Sequence, residues 1–216
     1  MRLAIYGSGG LGREVYELAE IVNQEASKWD EIFFVDDVRG EGSFLDTRCV
    51  RFETLIDQQG VDLECVIAIG EPKSRLALFE KIVGSGVQPA TLVHPRALVS
   101  PKSCISVGSI ICEFASVHVN ARIGLNCLVQ PGCVVGHEAR IGDHSVLSPL
   151  CAVGGASVLG EYVFAGMQSS IKEKLTIGND VIIAMGATVF QDLPDGVTVV
   201  GNPARITRGR EDRKVF

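Results

Sequence analysis

His137 and Glu138 stand side by side in Val135-Gly136-His137-Glu138, and eighteen residues after the histidine comes Gly155, the second residue of a glycine pair. A histidine beside a carboxylate can take a proton from an attacking amine or alcohol, and an uncovered glycine N–H can stabilise a carbonyl oxygen as it becomes negative. Acyl transfer needs both, provided the fold brings the two positions together. A second group lies near the start: Leu3 to Tyr6 reads as a buried strand, Gly7-Ser8-Gly9-Gly10-Leu11-Gly12 as a glycine turn opening a helix from Arg13 to about Gln24, and Ile32 to Val35 as a strand ending in Asp36-Asp37. Glycines let a backbone approach a diphosphate, the helix start offers N–H groups, and an acid beyond the second strand can meet a ribose or base. Gly70 ends a further strand, Val66 to Ile69, and Glu71 to Arg75 opens a helix from Leu76 to Val83, where Lys73 and Arg75 could neutralise phosphate or equally stand as solvated charges.

The element that must position His137 announces itself by period. From Val93 to Val189 an aliphatic residue recurs at every sixth position, seventeen in succession. Six fits neither a free helix nor a hairpin meander; it fits a solenoid whose unit is a short strand plus a turn, three units to a triangular coil. Four residues after each of these frame positions the side chains are mostly small, among them Ala115, Cys127, Cys133 and Cys151, which suits an inward corner. Glycine directly follows the frame residue at Gly124, Gly136, Gly142, Gly154 and Gly160, where positive φ is expected. In such a coil residues eighteen apart stack, so His137 and Gly155 share a corner. His94, before Pro95 at the entry to the first coil, reads as a junction residue, and His118 and His144 read as turn or surface residues.

With 26 acidic and 20 basic residues and a net charge of −6, the chain is not expected to use a nucleic-acid or anionic-membrane surface as its main binding face, which leaves room for local basic spots. No run approaches a membrane span and the first strand runs straight into the glycine turn, so a soluble, cytoplasmic protein is expected. Seven cysteines without a C-x-x-C pair read as compact core residues rather than a metal or disulfide framework, and no metal site is expected. The abrupt start of the six-residue frame divides the chain into a domain over 1–88 and another over 92–216 that ends in a C-terminal cap, joined by a linker from Ser85 to Ala90. The first domain shows three strands, half a dinucleotide sheet, which favours a mononucleotide diphosphate over NAD. Arg205 to Phe216, strongly charged, frays or packs over the last coil.

Taken in order, the G-S-G-G turn, Asp36-Asp37, Gly70 with Arg75, Val93-His94-Pro95, Gly136-His137-Glu138, Ile141-Gly142-Asp143, Gly154-Gly155 and Gly201-Asn202-Pro203-Ala204-Arg205 resemble the bacterial nucleotide-sugar acetyltransferases with hexapeptide repeats. That family includes UDP-4-amino-sugar N-acetyltransferases and sialic acid O-acetyltransferases. The resemblance implies an α/β half-Rossmann domain followed by a left-handed parallel β-helix, assembled as a homotrimer. It implies that acetyl-CoA acetylates the amine of a nucleotide-linked 4-amino-deoxysugar, for glycan or O-antigen precursors, without a metal. His137 would be the base, with Glu138 orienting it. Gly7, Ser8, Gly9, Gly10, Asp36, Asp37, Gly70 and Arg75 would contact the nucleotide sugar, and Gly155, Gly186, Asn202 and Pro203 the acetyl-CoA. Two departures stand out: Val146 replaces a second histidine nine residues after the base, and Asn202 replaces a Val or Thr.

Four rival readings differ in class or acceptor. A sugar O-acetyltransferase would use the same base. A non-enzymatic nucleotide-sugar-binding trimer has no use for the His137–Gly155 pairing. A γ-type carbonic anhydrase would need zinc-binding histidines two coils apart, where this chain has Gly154 and Glu173. An NAD enzyme would need a fuller sheet.

Overall fold

The computed structural model of the chain describes residues 1–57 and 62–207. The first part is an α/β layer. Its elements are β1 (Arg2–Tyr6), α1 (Gly10–Ala26), β2 (Glu31–Val35), β3 (Gly42–Phe44), β4 (Thr47–Val50), α2 (Phe52–Asp57), β5 (Leu63–Ile67), α3 (Pro72–Gly84) and β6 (Gln88–Pro89). The sheet order is β3-β4-β2-β1-β5-β6, parallel except for the β3–β4 hairpin. Continuous apolar runs form its centre because helices cover both faces, and Leu3, Ala4, Ile5, Phe33 and Phe34 are fully buried.

Six strands therefore stand where the sequence shows three. The β3–β4 hairpin is short and polar, with no alternation to mark it, and β6 lies inside the expected linker. Pro89 is tolerated there because β6 is an edge strand whose only partner is β5. β5 also begins and ends earlier than expected, at Leu63–Ile67, because its register is set by pairing with all five residues of β1.

From Leu92 onward the chain winds as a parallel β-helix with the eighteen-residue coil that the period requires and the left hand that the resemblance implies. Through Ser170–Ile171 each strand is two residues long and pairs with the strand eighteen residues on: Ile110–Ile111 with Leu128–Val129, Val134–Val135 with Ala152–Val153, Arg140–Ile141 with Val158–Leu159. These three pairs belong to the first, second and third faces of a triangular prism. Frame residues such as Val117, Val129, Val135 and Leu147, together with small corner residues such as Ala121, Cys127 and Cys133, fill the interior and are buried to within 1%. A final hairpin, Thr198–Val200 with Arg205–Thr207, closes the described end; residues 208–216, part of the expected charged tail, lie outside the described residues.

The corner backbone differs from expectation. Positive φ falls three residues after the frame position, at Phe114, Asn120, Asn126, Glu138, His144, Leu150 and their successors, and on glycine only at Gly108, Gly132 and Gly186. The glycines directly after the frame position have ordinary φ and are required for space. A Cβ on Gly136 would lie 2.6 Å from the Gly155 nitrogen of the next coil, and one on Gly166 2.6 Å from that of Met185. Coils stacked at strand spacing leave no room for a side chain there.

The α/β layer sits on the outer side of the first prism face. Outward residues Leu92, Ile110, Leu128 and Val146 are buried beneath Val15 and Leu18 of α1, whereas their counterparts on the third face, Arg122, Arg140 and Val158, are exposed. α3 runs along the corner that leads into this face: Phe79 packs against Gly108 and His144, Arg75 against Asn126, and Lys73 pairs with Asp180 at 3.0 Å. The His137 corner joins the second and third faces, so it is the vertex opposite the α/β layer.

Candidate functional site

His137 projects from its corner with about 61% of its side chain exposed, over the backbone of Gly155. A Cβ added to Gly155 would lie 2.5 Å from Nε2 and 2.7 Å from Cε1 of the imidazole. Glycine is therefore the residue that lets the ring lie there, and the stacking read from the eighteen-residue spacing is present. Nδ1 of His137 lies 3.5 Å from Oε2 of Glu138, whose φ of 60° turns it out of the coil. That is long for a strong hydrogen bond. It places a negative charge on the Nδ1 side, which favours hydrogen there and leaves the Nε2 lone pair, over Gly155, as a base.

At the corner between the third and first faces, N–H groups are capped by the coil above. Asp143 Oδ1 accepts from Leu125 N–H at 2.7 Å, Asn179 Oδ1 from Glu161 N–H at 2.8 Å, and Asp195 Oδ1 from Asn179 N–H at 2.7 Å. At the His137 corner the equivalent N–H is that of Gly155, and Glu173 above it provides no such cap among the described residues. An uncapped donor beside an exposed imidazole is the pair of features an acyl-transfer site uses.

The glycine turn forms an anion-ready helix start. Gly9 is the N-cap of α1 with no side-chain cap, and a Cβ on Gly9 or Gly10 would meet nothing within 4 Å. Gly7, at φ +108°, packs against Ala68 and Ile69, and Gly12 lies against the Gly7 carbonyl, so these two glycines serve close packing. Ser8 is 1% exposed and is held from below by Asp36. Arg13 and Arg39 both stack on Phe44, at 5.2 and 4.1 Å, and bring two cations beside this turn that the sequence reading did not single out. Only their spacing around a strand not recognised in sequence joins them.

Four expectations change. Asp36 accepts four bonds, from Ser8 N–H and Oγ at 3.0 and 2.6 Å and from Val38 and Arg39 N–H at 2.9 Å each, which fills its capacity and lowers its pKa against the cost of burial. It shapes the turn instead of meeting a nucleoside. Asp37 accepts from Tyr6 OH at 2.5 Å, Lys81 at 2.8 Å and Phe52 N–H at 2.8 Å, which hold its carboxyl down at about 2 despite desolvation and leave one acceptor position for a ligand.

Arg75 is wholly buried and contacts no substrate surface. Its guanidinium donates to the carbonyls of Ile67, Ile69 and Asn126 and to Asn126 Oδ1, so desolvation pushes its pKa down to about 10. Gly70 lies in the loop this residue anchors, and Lys73 is paired with Asp180. The start of α3 is capped by Glu71, whose carboxylate accepts from Ser74 N–H at 2.6 Å, so it is no second phosphate site.

His144 is not a surface residue: it is 6% exposed, stacks on Tyr162 at 5.7 Å and meets the edge of Phe79. Because Arg75 takes Oδ1 of Asn126, the Asn126 amide nitrogen faces His144 Nδ1, 3.0 Å away, and Nδ1 must be unprotonated. Burial lowers its pKa accordingly.

Gly155 and Gly186 lie on the two corners that bound the second face, and Asn202 and Pro203 lie in the terminal turn above it, where Ala204 N–H bonds the Thr188 carbonyl at 2.8 Å. These four positions border one face of the prism. A neighbouring groove of about 550 Å³, lined by Phe164, Met167, Ile182 and Met185, is apolar. The interior cysteines are inert: burial pushes the thiols of Cys127 and Cys151 up to about 12 and about 11. Among the described residues no helix is long and apolar enough to cross a membrane.

Comparison with known proteins gives a consistent picture. Residues 2–82 match the family described as PglD N-terminal domain. The GDP-perosamine N-acetyltransferase of Escherichia coli O157:H7 is 31% identical over 207 residues, covering 93% of this chain and 94% of that protein. The acetyltransferase domain of PglB from Neisseria gonorrhoeae FA1090, solved in complex with acetyl coenzyme A, superposes with a TM-score of 0.88 at 29% identity, covering 95% and 98% of the two chains. A histidine-to-alanine mutant of GDP-perosamine N-acetyl transferase from Caulobacter crescentus, solved with CoA and GDP-perosamine, superposes with a TM-score of 0.88 at 27% identity, covering 96% and 97%.

Proposed function

Since this chain belongs to the nucleotide-sugar N-acetyltransferase family, we propose that it transfers the acetyl group of acetyl-CoA to the amine of a nucleotide-linked 4-amino-deoxysugar in the cytoplasm, supplying glycan precursors. The observation that carries the catalytic part is the His137 imidazole lying over Gly155 beside an uncapped N–H. The sugar amine attacks the thioester carbonyl directly, Nε2 of His137 takes its proton, and the Gly155 N–H holds the oxygen as it becomes negative. As the tetrahedral intermediate collapses the carbon–sulfur bond breaks, and the imidazolium returns the proton to the departing CoA thiolate. No acyl-enzyme forms, consistent with the buried thiols. Glu138 keeps the imidazole oriented.

The start of α1 holds the diphosphate, with Gly9 and Gly10 giving the backbone access and Ser8 fixed beneath by Asp36. Acetyl-CoA lies along the second prism face, bounded by Gly155, Gly186, Asn202 and Pro203. His137 stands at the vertex opposite the α/β layer of its own chain, so a sugar anchored at α1 meets the histidine of another copy. A closed homotrimer, the assembly that the family resemblance implies, supplies one.

The test is release of CoA thiol from acetyl-CoA with UDP-, dTDP- and GDP-linked 4-amino sugars and their hydroxy counterparts. His137→Ala should lower kcat about 10²- to 10⁴-fold with the oligomer intact. Undiminished release in that variant would remove His137 from the reaction, and faster turnover with the hydroxy sugars would make the enzyme an O-acetyltransferase.

A further inference from the structure

Between α1 and the corner after the first prism face lies a cavity of about 520 Å³, within the size range of small-molecule sites. We propose that this cavity receives the acceptor sugar, with Glu14 and Glu113 binding its ammonium and the His94 Nε2–H donating to a sugar oxygen. The inference rests on the acetyl-transfer reading and deepens it by assigning residues to the sugar.

Position comes first. Leu11 and Glu14 lie in the opening turns of α1, directly after the Gly9-Gly10 anion end, and both line the cavity. A sugar hanging from a diphosphate at that helix start enters here. Across the gap stand Glu113, Phe114 and Pro131 from the corner of the β-helix. A 4-amino-deoxysugar carries a cationic amine, hydroxyls and a deoxy carbon, and the cavity offers carboxylates, a polar donor and apolar walls.

The carboxylates share the cavity without being spent. Glu14 and Glu113 come from different elements, yet both line it, beside the buried Cys112. Neither carboxylate makes a hydrogen bond or ion pair with a described residue. The cation at the same cavity, Arg96, is stacked over Phe114 at 4.3 Å.

His94 is the independent observation. It is only 7% exposed and lines the cavity. Its Nδ1 accepts the Arg96 N–H at 2.9 Å, so the ring hydrogen is on Nε2, which has no partner among the described residues. A nearly buried ring whose remaining donor opens on the cavity points to a ligand acceptor. Cationic amine between two carboxylates is a recognition device; before attack the ammonium gives one proton to solvent by way of a carboxylate, and the neutral amine gives its second to the partner subunit's His137 as the tetrahedral intermediate forms.

The experiment uses the nucleotide-linked 4-amino sugar that gives the greatest CoA release in the wild type. Glu14→Gln with Glu113→Gln should raise its KM about tenfold or more, while KM for acetyl-CoA and affinity for the free nucleoside diphosphate stay at wild-type values. His94→Asn, whose Oδ1 still accepts from Arg96 but which lacks the second donor, should raise the sugar KM about fivefold or more; His94→Gln, which can place a donor near the Nε2 position, should recover part of it. Unchanged sugar KM in the carboxylate pair, or equal loss of nucleoside diphosphate binding, would overturn the assignment. A wild type that releases no CoA with any amino sugar would overturn the acetyl-transfer reading itself, whichever way these variants behave.

Discussion

Gly155 shows how much of a catalytic arrangement can depend on an absent side chain. Its Cα lies under the His137 ring, and a methyl group there would meet three ring atoms within 2.9 Å. The ring is exposed and can swing away cheaply, so Gly155→Ala should fold normally while displacing the base. We expect kcat to fall about 100-fold, the usual effect of misplacing a catalytic group by an ångström, with the melting temperature within a few degrees of wild type. Unaltered kcat would show that the imidazole is not held at that spot during turnover. His137 and Gly155 were legible in sequence because their chemistry and their spacing agree. His94, Glu14 and Glu113 were not legible as a group: each is an ordinary residue until a helix from one domain lies against a corner of the other.

At the scale of elements, α3 acts as the fastener between the two halves. Arg75 reaches from it to the carbonyls that end β5 and to both oxygens of Asn126, and Asn126 returns a hydrogen bond to the Arg75 carbonyl at 3.0 Å. Arg75→Met keeps the bulk and strands several buried acceptors, so a destabilisation of about 3 to 5 kcal/mol is expected, measured by denaturant unfolding. If it acted as a substrate contact instead, the loss would appear in sugar KM with stability unchanged. The sequence placed Arg75 among the phosphate ligands because it follows a strand and opens a helix, the position where such ligands stand. Only the packing of α3 against the corner of Asn126 turned the side chain inward. The repeat units show the converse. Frame residues and small corners follow from period alone, but the role of the post-frame glycines was misread, since positive φ and lack of space both select glycine and only the stacked coils tell them apart.

For the whole molecule, the position of His137 opposite its own α/β layer means that, on the proposed reading, a lone chain is catalytically incomplete. Gly9→Asp should fold, since a side chain there meets nothing within 4 Å, and should place a carboxylate at the anion end of α1 and abolish sugar turnover. Mixing this variant with His137→Ala by co-refolding should restore a measurable fraction of activity, because mixed assemblies contain sites with one intact half from each chain. Absence of restoration in verified mixed oligomers would place the whole site within one chain. The sequence by itself determined the prism, its eighteen-residue coil and the stacking of His137 on Gly155, because in a solenoid distance along the chain translates directly into distance in space. It also determined the glycine turn that opens α1, which is local. Only the tertiary structure decided which prism face the α/β layer covers, that Asp36 and Arg75 are consumed by the fold, and that His94, Glu14 and Glu113 face a common cavity. Those outcomes depend on how two domains pack across a junction, and no period or local motif encodes that geometry.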